Sequence, residues 1–188
     1  MREAIERIFH ESIEVKRAAL ERNAEAIEAV VEAVVRAFEG GGKVLLFGNG
    51  GSAADCQHIA AEFIGRFQKE RLALPAIALT TDSSILTALG NDYSYDIVFA
   101  RQVEGLARAG DVVIGISTSG GSANVVKGIQ AARDRGAVTV AMSGGDGGVL
   151  ARQTDIALIV PSRVTARIQE SHICLAHVIC ELVENRFS

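Results

Sequence analysis

The chain has 188 residues, 48% of them hydrophobic and 22% charged, which is enough to enclose one well-packed core. A net charge of -4 and a pI near 5.6 exclude a protein that holds nucleic acid by neutralising phosphates, because such a protein needs a basic face. Mean hydropathy is +0.24, yet no apolar run approaches the roughly 20 residues that cross a bilayer, so no membrane partner is expected.

The first 38 residues place Ile5, Ile8, Phe9, Ile13, Ile27, Val30, Val31, Val34 and Phe38 at helical spacing with charges opposite, predicting two helices or one kinked helix. After Gly40-Gly41-Gly42 come five short apolar runs closed by Gly, Ser, Thr or Asp: 43–47, 76–79, 112–116, 138–142 and 156–160. Runs of that length predict buried parallel strands. Helical stretches over 53–67, 83–89 and 124–135 alternate with them, and residues 167–187 close the chain as a long helix. The pattern predicts an α/β fold, a three-layer αβα sandwich around a five-stranded parallel sheet, in one domain spanning residues 1–188. The N-terminal helices and the long C-terminal helix leave apolar stripes that a monomer of this size buries only in part, predicting association.

Cys56, Cys174 and Cys180 cannot all pair within one chain and form no CxxC motif, and the N-terminus, MREAIERIFHESIEVKR, is charged rather than signal-like. Both features predict a reduced, cytoplasmic protein. No cysteine is assigned a role.

In an open parallel sheet ligands bind beyond the carboxyl ends of the strands. Two of those ends carry suggestive loops. Gly48-Asn49-Gly50-Gly51-Ser52 leads from the first strand into a helix, so bare backbone N–H groups and the helix dipole face one anion. Ser117-Thr118-Ser119-Gly120-Gly121-Ser122 puts four hydroxyl residues in six positions before another helix, a density that predicts phosphate binding, although Ser122 could also simply cap that helix. The cluster Gly144-Gly145-Asp146-Gly147-Gly148 lacks hydroxyl donors beyond Ser143 and reads as a structural turn.

Four blocks, GNGGSAADCQHIAAEF (48–63), GND (90–92), ISTSGGSANV (116–125) and RIQESHICLAH (167–177), stand in the order and spacing of one family, and through them the chain resembles the phosphoheptose isomerases of the sugar-isomerase (SIS) fold. The resemblance implies conversion of sedoheptulose 7-phosphate to D-glycero-D-manno-heptose 7-phosphate, the first step toward nucleotide-activated heptose for glycans such as lipopolysaccharide. It also implies a homotetramer with active sites between subunits, residues 1–38 serving in oligomerisation, and one zinc per subunit. Carried over by position, substrate contacts fall on Asn49, Gly50, Gly51, Ser52, Glu62, Asn91, Asp92, Ser117, Thr118, Ser119, Ser122 and Gln169. Where family members often carry an acidic residue just before RIQ, this chain has Ala166.

Moving a carbonyl between neighbouring carbons needs a base that takes a proton from one and returns it to the other. Glu62, on the helix leaving the first loop, is the candidate base, and His177 is its partner for protons on the substrate oxygens. His58 and Glu62, four apart, share a helix face, and Gln169 and His177 lie about two turns apart on the last helix. His58, Glu62, Gln169 and His177 therefore form the candidate zinc set, which the resemblance supports and spacing alone does not. A carboxylate held by Zn2+ is a weaker base, so ligand and base compete at Glu62. His10 and His172 are expected to be structural or solvated. Two alternatives remain: a non-catalytic SIS scaffold that associates with the replication initiator, for which an assembled acid-base set has no use, and an isomerase of another sugar phosphate.

Overall fold

The computed structural model describes all 188 residues. Helix α1 (Arg2–Glu39) precedes β1 (Val44–Gly48), α2 (Gly51–Ile64), β2 (Ala76–Ala78) and α3 (Ser83–Asp92). A 3-10 turn (Tyr95–Ile97) leads into α4 (Val98–Leu106), followed by β3 (Val112–Ser117), α5 (Ala123–Asp134), β4 (Val138–Gly144), α6 (Gly148–Arg152), β5 (Ile156–Val160) and α7 (Thr165–Phe187). The five strands are all parallel, in the order β2-β1-β3-β4-β5. The αβα sandwich expected from the sequence is thus present.

Side chains alternate across each strand, so β1, β3 and β4 feed both cores. Val44, Leu46, Ile114, Val140 and Leu158 pack with apolar residues of α1, α2 and α7 on one face. Leu45, Phe47, Val113 and Ala141 pack with α4, α5 and α6 on the other. The reversal of strand order lies between β1 and β3, the position where open α/β sheets form their ligand crevice.

Four elements depart from the expectations. The N-terminal segment, expected as two helices or one kinked helix, is a single helix of 38 residues, and no proline interrupts it. Asn23 anchors it to the edge of the sheet: its buried amide donates to the Ile159 carbonyl at 3.0 Å and accepts from the Ile159 N–H at 2.7 Å. Helix α3 runs through Asp92, three residues past the expected end. Residues 98–106 and 148–152 form helices where none was anticipated.

Candidate active site

Both anticipated loops sit at the carboxyl ends of adjacent strands, and one side-chain pair ties them together. Asn49 and Asn124 exchange amide hydrogen bonds of 2.9 Å in each direction, linking the β1–α2 loop to the first turn of α5. Asn124 also accepts from its neighbour, the Val125 N–H. This residue lies inside the third sequence block, but its partner is 75 positions away, so its role was invisible from local sequence. Gly50 takes φ +56 at the start of α2, which has no side-chain cap. A Cβ at Gly51 would collide with the Gln169 amide, so glycine there lets α7 lay Gln169 directly over the α2 N-terminus.

In the second loop the hydroxyls converge on each other. Ser117 Oγ lies 2.9 Å from Ser122 Oγ and 3.4 Å from Ser119 Oγ, and Ser119 Oγ accepts from the Gly121 N–H. Ser122 holds the N-cap position of α5 but caps nothing: its hydroxyl is turned to Ser117, so that helix N-terminus has no side-chain cap from it. Gly144–Gly148 is the structural turn expected, and it braces this loop. The Gly144 N–H donates to the Thr118 carbonyl at 3.1 Å and the Leu150 N–H to the Gly120 carbonyl at 2.9 Å.

Past the loops, α2 and α7 pack side by side and bring two imidazoles and a carboxylate together. His58 Nε2 is 3.0 Å from Glu62 Oε1 and 3.3 Å from His177 Nε2, and one ligand atom from each residue falls within 4.8 Å of the others. Two nitrogens and a carboxylate oxygen are donors zinc accepts, so this trio fits the metal. The Phe67 ring backs His177, with centroids 5.4 Å apart. The His58 side chain is 46% exposed and that of Glu62 22%, so one face of the trio stays open. Asp55, one turn before His58, has a buried Oδ2 without a hydrogen-bond partner; burial raises its carboxyl while His58 pulls it back.

The remaining candidates are more dispersed. Gln169 stands at the Gly51 end of α7, about 12 Å along the axis from His177, so one ion could reach both only by lying between them. Asn91 and Asp92 are exposed on the last turn of α3 and hydrogen-bond to each other at 2.8 Å. Ser52 is buried in the first turn of α2, and Ala166 is exposed near the start of α7.

His10 is exposed, whereas His172 is fully buried with Nε2 donating to the Ser143 carbonyl at 3.2 Å. Burial lowers the His172 imidazole to about 4. Between pH 6.5 and 4 the unfolded chain therefore binds a proton at this residue that the native chain refuses, so stability falls as the pH drops through that window. Urea unfolding at pH 5 should show a loss of about 2 kcal/mol relative to pH 7.5, and a His172→Gln variant should lack most of that loss. Burial likewise raises the thiols of Cys56 and Cys180, the latter to about 12, which keeps both out of thiolate chemistry.

Residues 8–144 match the SIS domain family. A phosphoheptose isomerase of Roseiflexus sp. (strain RS-1) is 62% identical over 92% of this chain and 88% of its own length, and one of Aquifex aeolicus (strain VF5) is 59% identical over 98% and 96%. The structure of a phosphoheptose isomerase from Neisseria gonorrhoeae superimposes with a TM-score of 0.93 at 46% identity, covering 98% of both chains. A parallel sheet in this order, hydroxyl and glycine loops at its crevice, and near full-length identity of this degree lead to one assignment: the chain belongs to the phosphoheptose isomerases of the SIS-domain family.

Proposed function

We propose that this site interconverts sedoheptulose 7-phosphate and D-glycero-D-manno-heptose 7-phosphate through an enediol. The observation that carries the proposal is the meeting of Glu62 and His177 on helices that both reach back to an anion-ready loop. The phosphate lies among Ser117, Thr118, Ser119 and Ser122 at the N-terminus of α5. Asn49, Gly50, Gly51, Ser52, Gln169, Asn91 and Asp92 hold the sugar hydroxyls. The Glu62 carboxylate takes a proton from C1 of the ketose; His177 moves the hydroxyl proton from O1 to O2 as the enediol forms and collapses; Glu62 returns its proton to C2. One proton thus crosses between carbons and one between oxygens, and nothing is consumed.

His58, Glu62 and His177 are the residues that would hold zinc, and Gln169 joins them as fourth donor if its amide swings off Gly51. Bound there, zinc would supply a Lewis acid able to polarise a substrate carbonyl.

The 188 residues act as one domain, and residues 1–38 serve in a homotetramer with active sites between subunits. Supporting this, Ile5, Ile8, Phe9, Ile13 and Leu20 of α1 are exposed. A groove of about 390 Å3, lined by Leu20, Ile27, Leu175 and Val178, runs between α1 and α7. A second subunit would also cover the open face of the trio. Three free cysteines, and the absence of any helix long and apolar enough to cross a membrane, support a cytoplasmic location.

Purified protein incubated with sedoheptulose 7-phosphate should form aldoheptose 7-phosphate, lose at least 90% of its turnover after chelation, and regain it with Zn2+. Turnover indifferent to chelation would remove zinc from the chemistry. Folded, zinc-replete protein that leaves the heptulose untouched while isomerising another sugar phosphate would replace the substrate.

A further inference from the structure

The C-terminus of α2, one residue pair past Glu62, is held by a buried ion pair that none of the sequence blocks contains. Arg71 and Glu184 side chains are 1% and 2% exposed, and Arg71 Nε lies 3.4 Å from Glu184 Oε1. Two charges so deep in a protein are retained only when hydrogen bonds satisfy them, and removing either one is far more damaging than replacing both.

Here the bonds all go to the backbone around the trio. Arg71 Nη2 donates to the carbonyl of Glu62 itself at 2.7 Å, and Nη1 donates to the carbonyls of Phe63, Gly65 and Leu72 at 2.8, 3.3 and 3.0 Å. Glu184 accepts from the N–H groups of Phe67, Gln68 and Lys69 at 2.8, 2.7 and 2.9 Å. Although burial works to raise the Glu184 carboxyl, those amides and Arg71 keep it below the usual carboxylate range, so it carries its charge.

Each half of the pair leads to one member of the trio. Arg71 fixes the last turn of α2 through the Glu62 carbonyl. Glu184 lies seven residues after His177, on the same face of α7, and clamps the amide of Phe67, whose ring backs the His177 imidazole. The geometry points to Arg71 and Glu184 as positioning residues that set how Glu62 and His177 are placed relative to each other, and so to the substrate carbons and oxygens they serve. The inference rests on Glu62 and His177 being the reacting pair.

A guanidinium forks across several carbonyls at once and an ammonium does not, which makes Arg71→Lys the discriminating change: it keeps a positive charge beside Glu184 but gives up most of the bonds to α2. Turnover of sedoheptulose 7-phosphate is measured for wild type, Arg71→Lys, Glu184→Gln and Glu62→Gln, each normalised to the fraction with native circular dichroism. Glu184→Gln keeps the side-chain shape and an acceptor oxygen, so it stands in if Arg71→Lys does not fold.

The expected result is a fall in kcat of at least fivefold in the folded variant with KM changed less than threefold. A purely structural role would lower the folded fraction and leave kcat per folded site unaltered, so a fall smaller than fivefold overturns the positioning role. The two layers separate cleanly. An active Arg71→Lys beside an inert Glu62→Gln removes only the ion pair from the mechanism, whereas an active Glu62→Gln removes the reacting pair itself and the positioning role with it.

Discussion

Glu62→Gln is expected to lower kcat by about 10²- to 10⁴-fold, the range general-base catalysis spans, with a much smaller change in KM. The amide matches the carboxylate in shape and can still accept from His58, which lies 3.0 Å away, so the packing of α2 on α7 has no reason to change. What disappears is the ability to lift a proton from carbon. The chemical signature is more specific than the rate: in deuterated solvent the wild type should place deuterium on C2 of the aldose, because the proton on Glu62 can exchange before it is returned. The variant should leave substrate carbons unlabelled. A kcat within tenfold of wild type, with label still entering C2, would require a different base.

The second large effect concerns a residue that touches no substrate. Gly120→Val should lower the thermal midpoint by roughly 5–20 °C and raise KM for the sugar phosphate. Gly120 sits at φ +63, where a side chain is strained, and its added Cβ would meet the carbonyl of Gly147. Strain of that kind costs about 1–3 kcal/mol, overpacking about as much again, and each kcal/mol moves the midpoint of a chain this long by about 2–4 °C. Because Gly120 separates Ser119 from Ser122, displacing it also disperses the hydroxyls around Ser117. Gly121 is the internal control: it is exposed, its φ is not positive, and a Cβ would meet only the Ser119 hydroxyl at 3.7 Å. Gly121→Ala should shift the midpoint by less than about 2 °C. Equal behaviour of the two variants in a calorimetric scan would contradict the bracing contact between the two glycine loops.

The distinction between those glycines shows where sequence reading reaches its limit. Five apolar runs marked the strands to within two residues because buried parallel strands are continuous in hydrophobicity. Helix α4 escaped because Val98, Phe99 and Val103 make too short a periodic signal to stand alone, and its burial comes from packing beside α5. The apolar stripe of α1 was legible, but its continuity through position 20 is a property of the whole helix on the sheet edge, anchored by Asn23 to a strand 136 residues away.

At the site the same division holds. Residue type and short spacing alone determined that two loops could take an anion, since glycines and hydroxyls at strand ends act through their own backbone and side chains. They also determined that His58 and Glu62 share a face, since one helical turn separates them. The packing of α2 against α7 decided that His177 joins them across 119 positions. It decided equally that Gln169 lies on Gly51 and that Arg71 and Glu184 meet beneath the trio. The reason is physical: a turn of helix or a loop is specified by neighbours in the chain, whereas the meeting of distant side chains is specified by which helix faces are buried against one another, and that is a property of the assembled core.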